Sequence, residues 1–356
     1  MGDDHRAKRQ VDFIIVGQGL AGTLLAHDLL EKGHSVYIID KPLIASASKV
    51  AAGLINPVGM KRCIPSWQAD VFLPFAFKRY QSLEKKLQTS FFTQKPIYRL
   101  FANTANRKEW QIKHSNEGMD QYITDFEYAS SQPFLKDEIG GATISPTAFL
   151  DTVAFLRSSR DYFLQQKCLI EEVFNFERLI PSSCTYNSIK ASNIIFCEGF
   201  RAINNPYFKH LPFSPTKGEL LIIHIPDVEK MQKILSKGIF IIPLGDHLYR
   251  VGATYHHQQW DDSVTKQGKE YLKQKINQIL KVDFTIISEK AGVRPTTKDR
   301  KPLLGIHNTY QKLAIFNGLG SRGALQGPYL SAQFCAFLTN TEKTTKLTEN
   351  KYIRYF

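Results

Sequence analysis

Gly17, Gly19 and Gly22 stand in G-x-G-x-x-G spacing, and a carboxylate, Asp40, follows them with Lys41 beside it. Residue types at that spacing fit one task, the binding of an adenine dinucleotide. Gly17 permits a tight strand-to-helix turn, Gly19 lets backbone approach a diphosphate, and Gly22 lets helix and strand pack closely. The first helical residues, Leu20 and Ala21, would offer N–H groups and the positive end of the helix dipole to the phosphates. Asp40 would accept the hydroxyls of a ribose.

The elements needed to position these groups are legible around them. Residues 13–16, FIIV, form a short run rich in β-branched side chains, which reads as a strand buried on both faces. Leu20, Leu24, Leu25, Leu29 and Leu30 recur at helical spacing, and Gly33 is placed to end that helix in a left-handed conformation. Residues 36–39 read as a second strand, with Asp40 at its end. The segment 42–60 is small and Gly/Ala/Ser-rich up to Leu54. It can run close against a flat, bulky ligand, with Ser46 and Ser48 available to phosphate or ribose and a short helix starting there. A second glycine-rich turn spans 318–323, followed by an apolar helix to about residue 338.

Between these landmarks, 67–88, 105–116, 147–160 and 265–280 show helical periodicity. Residues 96–101, 134–144, 168–180, 192–197, 218–224, 238–242, 248–255, 286–293 and 313–316 read as extended segments. The sum is a mixed α/β chain in which a second domain is inserted into the first. There is no internal repeat.

Composition sets limits on function. The chain has 356 residues, a length that suggests two domains, and 43% hydrophobic with 22% charged residues is ordinary for a globular protein. Its five cysteines include no C-x-x-C pair, which favours reduced thiols and a cytoplasmic setting over disulfides or a zinc site. Residues 13–30 are apolar enough to resemble a membrane span, but they carry Gln18, His27 and Asp28 and the glycine motif accounts for them, so no membrane role is expected. Arg6 occupies the position where a myristoylation signal needs Ser or Thr. A net charge of +13 suits anionic ligands, and also a nucleic-acid surface, although no run of five or six basic residues appears. His256-His257 with Asp261-Asp262 could suggest a metal, but adjacent histidines on an extended segment face opposite ways and chelate poorly, so no metal site is expected.

Four segments together resemble the D-amino acid oxidase and glycine oxidase family of flavoproteins. They are the motif with Asp40, ASASKVAAGLINP at 45–57, AGVRPTTKDRKPLLG at 291–305, and NGLGSRGALQGPYLSAQF at 317–334. The last most resembles the flavin domains of MnmC-type enzymes, which modify the tRNA wobble uridine. The resemblance implies a Rossmann-like FAD-binding domain from 11–60, 146–215 and 285–340. An antiparallel-sheet substrate domain would come from 61–145 and 216–284, with 1–10 and 341–356 as terminal extensions.

The resemblance also implies roles for residues. FAD would bind non-covalently, because the carboxy-terminal turn lacks a tethering cysteine. Its adenine would meet the Val173 backbone. Ser46, Ser48, Ala52, Gly53 and Gly199 would line its path, and its ring would lie against Gly318, Gly320, Ser321, Arg322 and Gly323. The substrate side would rest on two arginines: Arg294 falls where the family binds the substrate carboxylate, Arg322 lies in the second glycine turn, and a guanidinium matches a carboxylate bidentately. Phe240 and Tyr255 fall on the pocket wall, Phe240 where glycine oxidase has a tyrosine. Lys217 is a candidate positive charge near the flavin. The implied chemistry is hydride transfer to flavin from the carbon beside an amine nitrogen, followed by imine hydrolysis. The substrate would be a small amine or amino acid. The alternatives are tRNA, with a carboxymethyl group removed from its wobble uridine, and a non-catalytic flavoprotein subunit. The electron acceptor stays open.

Overall fold

The computed structural model describes residues 9–41, 46–116, 118–129, 132–228, 231–257, 259–339 and 353–356. The expected extensions 1–10 and 341–356, and residue 45 of the second motif, lie largely or wholly outside them.

The buried apolar runs build a first sheet. Its strands follow the order Leu169–Ile170, Val36–Ile39, Arg9–Val16, Ile189–Phe196, Leu313–Asn317, Leu303–Ile306 and Ile353–Tyr355. The neighbours of Arg9–Val16 and of Ile189–Phe196 in this order run parallel to them. Both faces are therefore covered, which is why Ile14, Ile15, Ile194 and Ile195 are fully buried. The helix Leu20–Glu31 ends at Lys32, and Gly33 follows at φ +81°, as its position predicts.

A second sheet of eight strands runs Thr285–Arg294, Thr216–His224, Leu248–Gly252, Phe240–Gly245, Ile234–Ser236, Ile97–Leu100, Gly141–Ile144 and Ile123–Glu127. It is antiparallel except between Ile234–Ser236 and Ile97–Leu100. This two-sheet, mixed α/β architecture is the expected fold class. The strand Thr285–Arg294 pairs along the whole of Thr216–His224 and so belongs to the second sheet, whereas the expected boundary placed everything from residue 285 with the first.

Two elements differ from the sequence pattern. The helix expected over 147–160 is Thr152–Gln165, and Ala148–Leu150 before it is a strand paired with Phe92–Gln94 and Leu54–Ile55. Asp151 sets the boundary, because its side chain accepts from the Val153 and Ala154 N–H groups as an N-cap. Of 134–144, only Gly141–Ile144 is a strand.

Candidate active site

The carboxy-terminal ends of the parallel strands open into a cavity of about 740 Å³ whose far wall is the second sheet. The turn after the first strand shows how its floor is made. Gly17 has φ +101°, and a Cβ there would meet the Cys197 carbonyl oxygen at 2.7 Å. A Cβ on Gly22 would lie 2.0 Å from the Gly17 oxygen, so Gly22 brings the helix onto the turn without itself reaching the cavity. Gly19 caps the helix with no side chain, and Ser48 Oγ accepts from Leu20 N at 3.0 Å. Among the described residues, the N–H groups of Ala21 and Gly22 meet no acceptor. That is the donor set a diphosphate requires.

At one end of the cavity Asp40 is held on both oxygens. Oδ1 accepts from Gln18 N at 2.9 Å, and Oδ2 accepts from Arg160 Nη1 at 2.9 Å. Arg160 is the residue that sequence reasoning missed here. It also donates to Gln18 Oε1 at 2.8 Å, to the Asp40 carbonyl at 3.2 Å and to Glu171 Oε1 at 2.8 and 2.9 Å. One guanidinium therefore ties the end of the second strand to the loop that carries Glu172, Val173 and Phe174 into the cavity. Lys41 and Val173 both line this end, and Val173 is 67% exposed toward it.

In the middle, Ser46 caps the short helix Ala47–Val50 by accepting from Lys49 N, as its position predicts. Gly53 has φ +69°, and a Cβ there would fall 1.9 Å from the Leu150 oxygen. Arg250, in the second sheet, donates to the Ala51 and Ala52 carbonyls at 3.2 and 3.5 Å and fixes this segment from across the cavity. Gly199, Gly320, Ser321, Arg322 and Gly323 line the cavity with Ser46, Ser48, Ala52 and Gly53. Gly318 does not. It sits at φ +75° against Leu303, beneath the turn, and Asn317 beside it ties that turn to the Gly199 carbonyl at 2.8 Å.

At the other end the strand Thr216–His224 forms the wall. Gly218 and Leu220 face the cavity with Phe240 and Gly292. Arg294 lies across Gly218, where a Cβ would meet its Nη2 at 2.0 Å. Its Nη1 reaches the Lys217 and Thr254 carbonyls at 3.4 and 3.3 Å, and its guanidinium carbon lies 4.4 Å from the Tyr255 ring centre. Arg322 donates from Nη1 to the Asn56 carbonyl at 3.3 Å and to Ser66 Oγ. Burial lowers the pKa of both arginines. Among the described residues neither pairs with a carboxylate. Two desolvated cations facing one cavity without counter-ions make an anion site.

Tyr255 is 61% exposed and stands at the mouth. The loop beneath it folds back onto the start of the strand Thr216–His224, where Lys217 and His256 exchange backbone hydrogen bonds of 2.8 and 3.0 Å.

Lys217 overturns its expectation. Neighbouring residues of a strand face opposite sides, and Lys217 points away from the cavity. It is fully buried with Asp261 Oδ1 at 2.7 Å and Glu219 Oε1 at 4.0 Å. His256 Nε2 lies 3.4 Å from Glu219 Oε2, and His257 Nδ1 lies 3.3 Å from Thr216 Oγ1. These histidines pack on the strand Thr216–His224.

The donors at the glycine turn, the held Asp40 and the narrow path past Gly53 fit FAD, which spans such a groove from a ribose carboxylate to a reaction end. Comparison with known proteins agrees. A glycine oxidase from Pseudomonas aeruginosa is 22% identical over 340 residues, covering 88% of this chain and 91% of that protein. The tRNA 5-methylaminomethyl-2-thiouridine biosynthesis bifunctional protein MnmC of Leptospira interrogans is 25% identical over 385 residues, covering 91% of this chain but 56% of that protein. The crystal structure of glycine oxidase from Geobacillus kaustophilus superposes with a TM-score of 0.76 at 20% identity, over 93% of this chain and 94% of that one, and so shares its fold. The model of the DAO family, FAD dependent oxidoreductase, matches residues 12–336, and the chain belongs to that family of enzymes.

Proposed function

We propose that the protein oxidises the C–N bond of a small amino acid or secondary amine. The observation that carries this reading is Arg294: a desolvated guanidinium on the cavity wall, held by two carbonyls and a ring, with no carboxylate of its own among the described residues. A substrate carboxylate supplies the missing partner, and fixing it fixes the amine carbon. Arg322 adds positive charge on the opposite side, from the second glycine turn. Phe240 and Leu220 give the pocket apolar walls that exclude water. Bound FAD supplies the two-electron hydride acceptor. The substrate gives up a hydride from the carbon beside nitrogen and a proton from nitrogen, and water then hydrolyses its imine. The reaction needs a neutral amine and alignment, and no dedicated base is assigned. None of the five cysteines is in a disulfide, which suits a reducing, cytoplasmic setting.

The test is anaerobic mixing with a panel of D-, L- and N-alkyl amino acids, following loss of flavin absorbance. The reading fails if none of them bleaches the flavin.

Two observations favour a second reading, tRNA as the carrier of the amine. The MnmC relative covers 91% of this chain, and the net charge of +13 suits a polyanion. The chain spans about half of that relative's length, so its full activity is not carried over. Bleaching by hypomodified tRNA, lost steeply between low and moderate salt, would select this reading over a free amino acid.

A further inference from the structure

The family's chemistry gives no part to one acidic side chain that faces the cavity. Glu198 follows the strand Ile189–Phe196 and abuts the first glycine turn: a Cβ on Gly17 would lie 3.5 Å from Glu198 N. Its Oε2 accepts from Asn205 Nδ2 at 2.6 Å, and Asn205 is itself fully buried, accepting from the Tyr207 and Phe208 N–H groups. The Glu198 side chain is thus aimed by a rigid partner. Its other oxygen has no hydrogen bond among the described residues, and the residue lines the cavity.

The surroundings are poor in counter-charge. Cys197 beside it is a buried thiol whose pKa is raised by burial and by Glu198 itself. Arg201 is exposed, its guanidinium 5.9 Å from the Phe200 ring. The glycine turn and the Asn317 loop bring no ionisable group within pairing distance, and Glu198 forms no ion pair among the described residues. Asp40, the other acid at this floor, is engaged by Arg160. An unpaired carboxylate at a diphosphate site would repel the ligand, whereas the protonated acid is a donor.

We propose that Glu198 is a cofactor ligand in its neutral form, donating from Oε1 to an oxygen of the diphosphate–ribityl chain of FAD, so that cofactor uptake draws in a proton. Burial already pushes the Glu198 carboxyl up to about 7, which places the switch in the physiological range. Below that pH the protein is ready to bind, and above it a proton must first be taken from solvent. Among the described residues no histidine lines the cavity, and FAD has no group that titrates between pH 6 and 8.5, so a pH dependence in that window reports Glu198.

The test is titration of FAD-stripped protein with FAD, read by flavin fluorescence, at pH 6 and pH 8.5, for wild type, Glu198→Gln and Glu198→Ala. Wild type should weaken by about ten-fold or more across the window. Glu198→Gln keeps a donor and should bind as wild type does at pH 6 with no slope. Glu198→Ala should also be flat, and weaker than wild type at pH 6. Calorimetry of wild type at pH 8 in two buffers of different ionisation enthalpy should give an uptake near one proton per FAD. A flat wild-type profile, a slope retained in Glu198→Gln, or no proton uptake would overturn the proposal.

Discussion

Arg294 lies so close over Gly218 that a single methyl group on that glycine would fall 2.0 Å from the guanidinium. They lie on paired strands, Thr216–His224 and Thr285–Arg294, with Arg294 opposite Thr216 and Gly218 opposite Gly292, so the guanidinium reaches Gly218 diagonally and the register fixes their approach. Gly218→Ala should therefore displace the guanidinium without touching the cofactor end of the cavity. The expected outcome is a rise in KM for the amine of about ten-fold or more, with FAD affinity unchanged. Steady-state kinetics beside an FAD titration checks this, and an unaltered KM would show that Arg294 has no fixed role in binding substrate.

Replacing Arg294 itself tests the anion site more directly. Arg294→Lys keeps the charge and loses the planar fork, and should lower kcat/KM by about 100-fold. Arg294→Met should lose more, while the visible spectrum of bound flavin persists in both. Activity within a few-fold of wild type in either variant contradicts carboxylate capture by this side chain.

Arg160 should matter only at the adenosine end. Arg160→Met removes charge-assisted hydrogen bonds to Asp40, Gln18 and Glu171, and should weaken FAD binding by roughly 10- to 100-fold. KM for the amine, measured at saturating FAD, should not move. Equal FAD affinity in the variant would mean that Asp40 is held well enough by Gln18 alone.

Glu198 also predicts how the FAD-stripped protein responds to pH. Its carboxyl titrates near 7 when folded, above the ordinary carboxylate range. The folded state therefore holds a proton that the unfolded chain has released, and the group's contribution to stability falls as pH rises from about 4.5 to 7. Glu198→Gln should match wild type near pH 4.5 and exceed it at pH 8 by about 3 kcal/mol. Urea midpoints at the two pH values measure the difference, and a constant gap between the proteins would refute it.

The dinucleotide end was legible in the sequence because its chemistry is local. Gly17, Gly19 and Gly22 sit between a strand and a helix whose periodicities differ, and Ser46 caps its helix from three residues away. Arg160 was not legible, since its partners at 18, 40 and 171 meet it only after the helix Thr152–Gln165 packs on the sheet. The same holds for Arg250, which reaches Ala51 from another sheet. Lys217 was misplaced because sequence proximity to Gly218 says nothing about which face of a strand a side chain takes. The boundary at residue 285 was misplaced for a related reason. Strand pairing partners of Thr285–Arg294 lie far back in the chain, and no local composition shift announces them.

The alternation along Thr216–His224 also locks its pairing in place. Gly218 and Leu220 form a smooth, uncharged panel on one side, while Lys217 and Glu219 sink into a salt cluster on the other. Sliding this strand by one position would drive a lysine and a glutamate into the cavity and strand two uncharged positions among ions. The cluster thus acts as a detent for the wall: the charges that never touch the reaction are the ones that keep it flat.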